Sequence, residues 1–133
     1  MLPVMARALQ GLRAMNAEDF RRLALSLPET EEKSHFGTAD FRVRNRIFAT
    51  LPDDDRAVVK LTREQQEMMA GAEPGVFQPV KGGWGRQGWT TVILAAADEV
   101  TLKSALVTAW RNVAPAGLRK AHAQVPSSDD GGL

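Results

Sequence analysis

Apolar residues recur every three or four positions in the parts of the chain that we predict to be helical. In residues 17–26 this spacing predicts an amphipathic helix, which Asn16 caps and Pro28 ends. A second helix begins at the capping box formed by Thr62 and Gln65 and runs to residue 69 or 70. The last helix begins after Asp98 and ends at Pro115.

Between these helices apolar and polar residues alternate, or short β-branched runs occur, as is typical of strands. The pattern predicts strands over residues 32–36, 39–44, 46–51, 57–61, 76–80 and 89–96. A tight turn is predicted at Arg44-Asn45, because asparagine tolerates left-handed backbone angles. The order is helix, three or four strands, helix, two strands, helix. This order predicts an α+β domain with a single antiparallel sheet and helices packed on it.

The two ends of the chain differ in composition from its middle. Residues 1–15 are predicted to be a poorly ordered extension, since Met15 precedes a good helix start and fits a downstream initiator. Residues 116–133 have the composition of a disordered tail. The folded domain is therefore expected to span residues 16–115.

Composition narrows the choice of function. The 133 residues carry 17 Lys+Arg against 16 Asp+Glu, a net charge of +1, so a nucleic-acid contact would need a local basic patch. No cysteine is present, which excludes disulfides and thiolate sites. No apolar run approaches the roughly 20 residues that span a bilayer. We expect a cytoplasmic protein with no membrane association, and a monomer or weak dimer.

Residues 83–88 read Gly-Trp-Gly-Arg-Gln-Gly, which matches the dinucleotide fingerprint G-x-G-x-x-G. In dinucleotide-binding folds a helix begins inside this motif and its N-terminus holds the pyrophosphate. Here the strand predicted over residues 89–96 follows instead. The glycines are therefore predicted to form a flexible hairpin connection and to bind no nucleotide cofactor.

Other side chains give little sign of catalysis. The two histidines, His35 and His122, have no partner at metal-ligand spacing. No G-x-S-x-G elbow is present, and the acidic run Asp53–Asp55 does not match a calcium loop. We expect a non-enzymatic protein with no cofactor and no metal site.

Basic and aromatic residues gather on the predicted hairpins. Arginines at strand tips could hold phosphates, and a tryptophan in a glycine-rich connection could stack on a base. The competing interpretation is that alternating arginines only keep a half-exposed strand soluble. The candidate nucleic-acid-binding residues are Arg42, Arg44, Arg46, Lys60, Lys81, Trp84 and Arg86.

Four segments together resemble the MmcQ/YjbR-like family. They are SLPETEE (26–32), HFG (35–37), FRVRNRIFATL (41–51) and GWTTVIL (88–94), and the likeness extends from Asn16 to Ala114. The resemblance implies an α+β fold like that of type III secretion chaperones. It also implies DNA binding through a double wing of two β-hairpins, here residues 41–51 and 76–94, and it carries no catalytic motif.

Three functions follow as hypotheses. The first is a DNA-binding domain that contacts phosphate weakly through its two hairpins. The second is a protein-interaction module of the secretion-chaperone type, which would hold another chain on a helix face or sheet edge. The third is a small-ligand site between the sheet and the last helix, near Trp110.

Overall fold

The computed structural model describes residues 14–124. Its strands are β1 (Thr30–His35), β2 (Thr38–Val43), β3 (Arg46–Leu51), β4 (Arg56–Lys60), β5 (Phe77–Pro79) and β6 (Trp89–Ile93). Its α-helices are α1 (Ala17–Leu25), α2 (Arg63–Ala72), α3 (Gly83–Arg86), α4 (Glu99–Val113) and α5 (Ala116–Gln124). A short 3₁₀ turn, Leu94–Ala96, follows β6.

The six strands form one antiparallel sheet in the order β1-β2-β3-β4-β6-β5. This confirms the predicted α+β class with a single antiparallel sheet. The first four strands follow each other by tight connections. The chain then passes through α2 to the far edge, where β5 pairs with β6.

Helices cover one face of the sheet. Helix α4 packs on β3 and β4, and α1 packs on α4 and β1. The largest fully buried side chains between these layers include Trp110, Phe20, Phe41 and Phe48. The Phe20 and Phe41 rings meet edge to face with centroids 5.5 Å apart.

The helix starts confirm the caps predicted from sequence. The Asn16 side chain accepts a hydrogen bond from the backbone N–H of Asp19, and the Thr62 side chain accepts one from Gln65. The Asp98 side chain accepts a hydrogen bond from the backbone N–H of Thr101, with 2.8 Å between nitrogen and oxygen. Each side chain satisfies a helix N–H that would otherwise lack a partner.

The predicted N-terminal extension comprises residues 1–15. Its residues 1–13 lie outside the part of the chain that the structure describes. Met15, however, is part of the core: its side chain is 5 % exposed. Its backbone N–H donates to the carbonyls of Leu94 at 3.2 Å and Ala97 at 3.3 Å. The core therefore includes a residue that the sequence assigned to the extension.

The prediction of a disordered tail over residues 116–133 requires correction. Nine of these residues form α5, whose His122 ring lies 5.0 Å from the ring of Trp110. The packing against a buried aromatic side chain stabilises a helix that composition alone does not suggest. Residues 125–133 lie outside the described part of the chain.

Two smaller differences concern element lengths. Helix α2 continues to Ala72, past the predicted end at residue 69 or 70. The strand predicted over residues 89–96 ends at Ile93, and a 3₁₀ turn takes its last residues. Within the part of the chain that the structure describes, no helix has the length and apolar character needed to cross a membrane.

Candidate nucleic-acid interface

The turn between β2 and β3 consists of Arg44 and Asn45, which have φ values of 51° and 69°. Left-handed φ at both positions is what a two-residue hairpin turn requires, and it confirms the predicted turn. The guanidinium of Arg44 forms a bidentate ion pair with the carboxylate of Glu29, in which Nη2 lies 3.1 Å from Oε2. This pairing lowers the pKa of Glu29 and raises the pKa of Arg44.

Arg42 is also paired with an acidic side chain. Its Nε lies 2.7 Å from Oδ1 of Asp40, and its Nη2 lies 3.1 Å from Oδ2. The Asp40 side chain is only 2 % exposed, so the guanidinium compensates a buried carboxylate. The hydrogen bond raises the pKa of Arg42. Two of the three arginines of the first hairpin, Arg42 and Arg44, are therefore paired with carboxylates, although the sequence analysis proposed them as candidates for phosphate contact.

The glycine-rich connection is a packed helical turn, contrary to the predicted flexible hairpin tip. It forms α3, and an added Cβ at Gly85 would lie 1.7 Å from the carbonyl oxygen of Val80. At Gly88, where φ is +104°, a Cβ would lie 1.8 Å from the carbonyl oxygen of Leu61. These glycines are needed because two backbone segments approach each other closely.

A buried amide from α2 holds this turn in place. The Gln66 Nε2 atom, on a side chain 4 % exposed, lies 3.0 Å from the Gly85 carbonyl and 3.1 Å from the Trp89 carbonyl. It also lies 3.1 Å from the Thr90 hydroxyl, which itself donates to the Gly88 carbonyl at 2.9 Å. The connection is therefore ordered by polar contacts from residues distant in sequence.

The G-x-G-x-x-G match lies in a structural context that differs from that of a dinucleotide site. The helix inside it, α3, has four residues, and the following element is the strand β6. A dinucleotide site needs a long helix whose N-terminus faces the pyrophosphate. The glycines serve backbone packing.

Trp84, Trp89 and Lys60 meet on the face of the sheet that the helices leave open. Trp84 is 63 % exposed, and its ring lies edge to face with Trp89 at a centroid distance of 5.9 Å. The Lys60 ammonium lies 5.0 Å from the centre of the Trp89 ring, a cation–π contact. Lys60 and Trp89 are also cross-strand neighbours on β4 and β6.

A shallow groove lies beside these rings. It has a volume of about 230 Å³ and is lined by Thr50, Val58, Val80, Trp84 and Trp89. Thr50 and Val58 are cross-strand neighbours of β3 and β4, so the groove runs across the middle of the open sheet face. Its walls are mainly hydrocarbon and indole, which suits a flat apolar group. We call it the tryptophan groove.

Four of the seven predicted residues are cations at one end of the sheet. The β2–β3 turn, the end of β4 and the start of β6 lie at this end, because β3, β4 and β6 are successive antiparallel neighbours. Strands β3 and β6 are two strand spacings apart, or about 10 Å. We call this the basic end, and its predicted cations other than Arg44, which is paired with Glu29, are Arg46, Lys60, Lys81 and Arg86. Among residues 14–124, no carboxylate forms an ion pair with any of them.

The two hairpins do not form separate wings. In the first, β2 also pairs with β1 and β3 also pairs with β4. In the second, β6 pairs with both β4 and β5. Both hairpins therefore belong to one six-stranded sheet, the second of them at its edge, and their connecting turns lie at the basic end.

Trp89 is not among the seven candidate residues predicted from the sequence. It is half-buried and stands on the open face, where it supports both Trp84 and Lys60. The position of Trp89 follows from the alternation of side chains along β6. Because Thr90 and Val92 are fully buried against the helices, Trp89 lies on the opposite face.

The space near Trp110, where a small-ligand site was considered, is filled. The Trp110 side chain is fully buried, and its indole N–H donates to the Pro28 carbonyl at 3.0 Å. As to metals, in the part of the chain described by the structure no group of three His, Asp or Glu side chains is placed to hold an ion.

Comparisons with known proteins place the chain in a family. A structural comparison finds protein DR2400 of Deinococcus radiodurans, a crystal structure with a DUF419 domain, at a TM-score of 0.67 and 24 % identity. The match covers 84 % of this chain and 87 % of that one and shows the fold. No curated protein matches the sequence significantly. The family model described as YjbR matches residues 25–112, which is more than half of the sequence, and the chain therefore belongs to the YjbR family.

Proposed function

We propose that this domain binds DNA in single-stranded form, weakly and without catalysis, at the basic end of its sheet. The observation that carries this proposal is the exposed indole of Trp84 beside cations that lack an acidic partner in the described chain. Aromatic rings stack on any base, and cations next to them follow the phosphate backbone. A ring 63 % exposed to water can accept such a base without any rearrangement of the core.

Each residue of the site has a distinct role in this proposal. Trp84 stacks on one base, while Trp89 and Lys60 hold the indole from behind. Arg46, Lys81 and Arg86 contact phosphates on either side of that base. Arg42 and Arg44 keep their carboxylate partners and contribute little to binding.

Single strands are favoured over duplexes for two reasons. A base within a duplex is already stacked on its neighbours, so it cannot cover Trp84 without unstacking. The connections at the basic end are also short, and one of them is the four-residue helix α3. Within residues 14–124, no long recognition helix projects there to enter a major groove.

Fluorescence anisotropy of a labelled oligonucleotide of about 16 nucleotides is the appropriate test, with its duplex as the comparison. With phosphate contacts from Arg46, Lys81 and Arg86, the logarithm of the single-strand binding constant should fall with the logarithm of salt concentration with a slope of about −2. Trp84→Ala should weaken binding by about 1–3 kcal/mol and leave this slope unchanged. An unchanged anisotropy at low salt would refute the proposal.

A further inference from the structure

Phe36 is the most exposed large hydrophobic side chain between residues 14 and 124, with 95 % of its surface open to water. It stands at the tip of the β1–β2 hairpin, where His35 and Thr38 are the last paired residues. The His35 ring lies 4.4 Å from the Phe36 ring, edge to face. This contact limits the orientations of an otherwise free side chain.

The backbone at Phe36 is unfavourable for a phenylalanine. Its φ is 52°, in the left-handed region that bulky side chains rarely adopt, and it is followed by Gly37 at φ 81°. Asparagine or aspartate before glycine is the residue pair that such a turn prefers. Both the exposure of the ring to water and the left-handed backbone are unfavourable for phenylalanine at this position. An aromatic side chain kept under such conditions is typical of an anchor for binding.

The surroundings of Phe36 are acidic. The β3–β4 turn lies at the same end of the sheet, and the charged residues that line an open cleft of about 480 Å³ beside Gly37 are three carboxylates, Glu18, Asp53 and Asp54, and one cation, Arg21. In the described part of the chain, neither Asp54 nor Asp55 forms an ion pair. This acidic end lies opposite the basic end, since the connections of an antiparallel sheet alternate between its two ends.

The tryptophan groove on the open sheet face has properties that fit a phenyl ring. An apolar cavity of roughly 150 Å³ is known to bind benzene, and the groove measures about 230 Å³. Its aromatic walls offer the edge-to-face contacts that phenylalanine prefers. Lys60, Lys81 and Arg86 supply positive charge around it, opposite in sign to the surroundings of Phe36.

We infer that Phe36 of one copy inserts into the tryptophan groove of a second copy, so that the acidic end of one domain meets the basic end of the next. The contact is head to tail, because the anchor and the groove lie on different parts of each domain. It leaves an anchor free at one end and a groove free at the other, so longer chains form at high concentration. One phenyl anchor with supporting charges predicts a dissociation constant on the order of 0.1–1 mM.

This inference goes beyond the proposed DNA binding and does not depend on it. Because a base and a phenyl ring would both cover Trp84, the two ligands exclude each other. Phe36 takes no part in DNA binding, so Phe36→Asn separates the two proposals. It should leave oligonucleotide affinity unchanged while it weakens self-association by at least about tenfold.

Sedimentation velocity without nucleic acid, from about 10 µM to about 1 mM protein, is the test. The wild type should show a weight-average mass that rises above 14.5 kDa with concentration. Phe36→Asn and Trp84→Ala should each remain monomeric. When the two variants are mixed, the intact groove of the first and the intact anchor of the second should restore a two-chain complex that grows no further.

The variants also control for folding. Phe36→Asn places a preferred residue in the turn, so its melting temperature should equal or exceed that of the wild type. Val58→Arg fills the groove from the sheet face and should act as Trp84→Ala does. Val100→Asn removes an apolar side chain that is 79 % exposed elsewhere and should leave association intact. A monomeric wild type at all concentrations, or a mixture that stays monomeric, would overturn the inference.

Discussion

The side-chain amide of Gln66 donates a hydrogen bond to the carbonyl oxygen of Gly85, 3.0 Å away and 19 residues further along the chain. The same amide reaches the Trp89 carbonyl and the Thr90 hydroxyl. One buried polar group of α2 therefore fixes both α3 and the start of β6. Through them it sets the position of Trp84, which lies within α3.

Replacement of Gln66 by leucine should remove these hydrogen bonds without leaving a large cavity. The buried acceptors would lose a donor, and we expect a loss of about 1–3 kcal/mol in the free energy of unfolding, measured by urea titration. Gln78→Leu is the matched control, because Gln78 is exposed on β5 and its loss should change stability by less than about 0.5 kcal/mol. Equal effects of the two variants would refute the role assigned to Gln66.

Gly85→Ala should strongly destabilise the fold, because its Cβ would overlap the backbone carbonyl of Val80. Separation of the two backbones should cost about 1–3 kcal/mol or more. Gly71→Ala is the comparison within an exposed part of α2, where an added Cβ meets nothing within 4 Å. There alanine should raise stability by about 0.5–1 kcal/mol. If Gly85→Ala melted like the wild type, the close packing of α3 would be wrong.

The origin of the ordered α3 explains why sequence alone did not predict it. Glycine-rich segments have poor helix propensity, and the helix exists here because Gln66 and the Val80 backbone surround it. Local signals worked well elsewhere: the caps at Asn16, Thr62 and Asp98 and the Arg44–Asn45 turn depend only on near neighbours. Helix α5 was missed for the same reason as α3, since its partner Trp110 lies on another helix.

The candidate site likewise combines a contact that the sequence could predict with contacts that only the fold reveals. That Arg42 and Asp40 share a face could be read from their two-residue spacing in β2, yet the sequence interpretation left Arg42 free to bind phosphate. The pair of Arg44 with Glu29 joins residues 15 apart and needed the sheet register. The meeting of Lys60 with Trp89 likewise depends on β4 and β6 being neighbours, which the strand order along the chain does not reveal.

Arg42→Ala and Arg86→Ala should affect different properties. Loss of Arg42 leaves the buried Asp40 carboxylate without its guanidinium, so the melting temperature should fall while DNA affinity stays nearly constant. Loss of Arg86 should leave the melting temperature nearly constant and weaken oligonucleotide binding. Calorimetry and anisotropy on both variants check this pair, and a large loss of affinity with Arg42→Ala would contradict the assigned roles.

Asp98 should contribute to the acid sensitivity of the fold. Its pKa is lowered from the ordinary value of 3.8 mainly by the hydrogen bond from the Thr101 backbone N–H and also by the Thr101 side chain. Because the folded state favours the charged form, this stabilisation is complete above the unfolded pKa of about 3.9 and is lost as pH falls through the folded pKa. Asp98→Asn keeps a good cap but does not titrate.

The melting temperature of the wild type should therefore fall more steeply than that of Asp98→Asn between about pH 5 and pH 2. Thermal melts followed by circular dichroism at several pH values measure both slopes. Parallel curves for the two proteins would show that the Asp98 cap does not titrate as described.

DNA binding at the basic end is tested most directly by two double variants of equal charge. Lys81→Gln with Arg86→Gln removes two cations beside Trp84, and Lys33→Gln with Lys103→Gln removes two exposed cations of β1 and α4, outside the basic end. Each variant changes the net charge from +1 to −1, because each loses two positive charges. Single-strand anisotropy at low salt should show that the first variant binds at least about tenfold more weakly than the wild type. A salt titration should show that the slope of log K against the logarithm of salt concentration is less negative by about 1.4, because two phosphate contacts are lost. The second should bind like the wild type, and equal losses in both variants would contradict binding at the basic end.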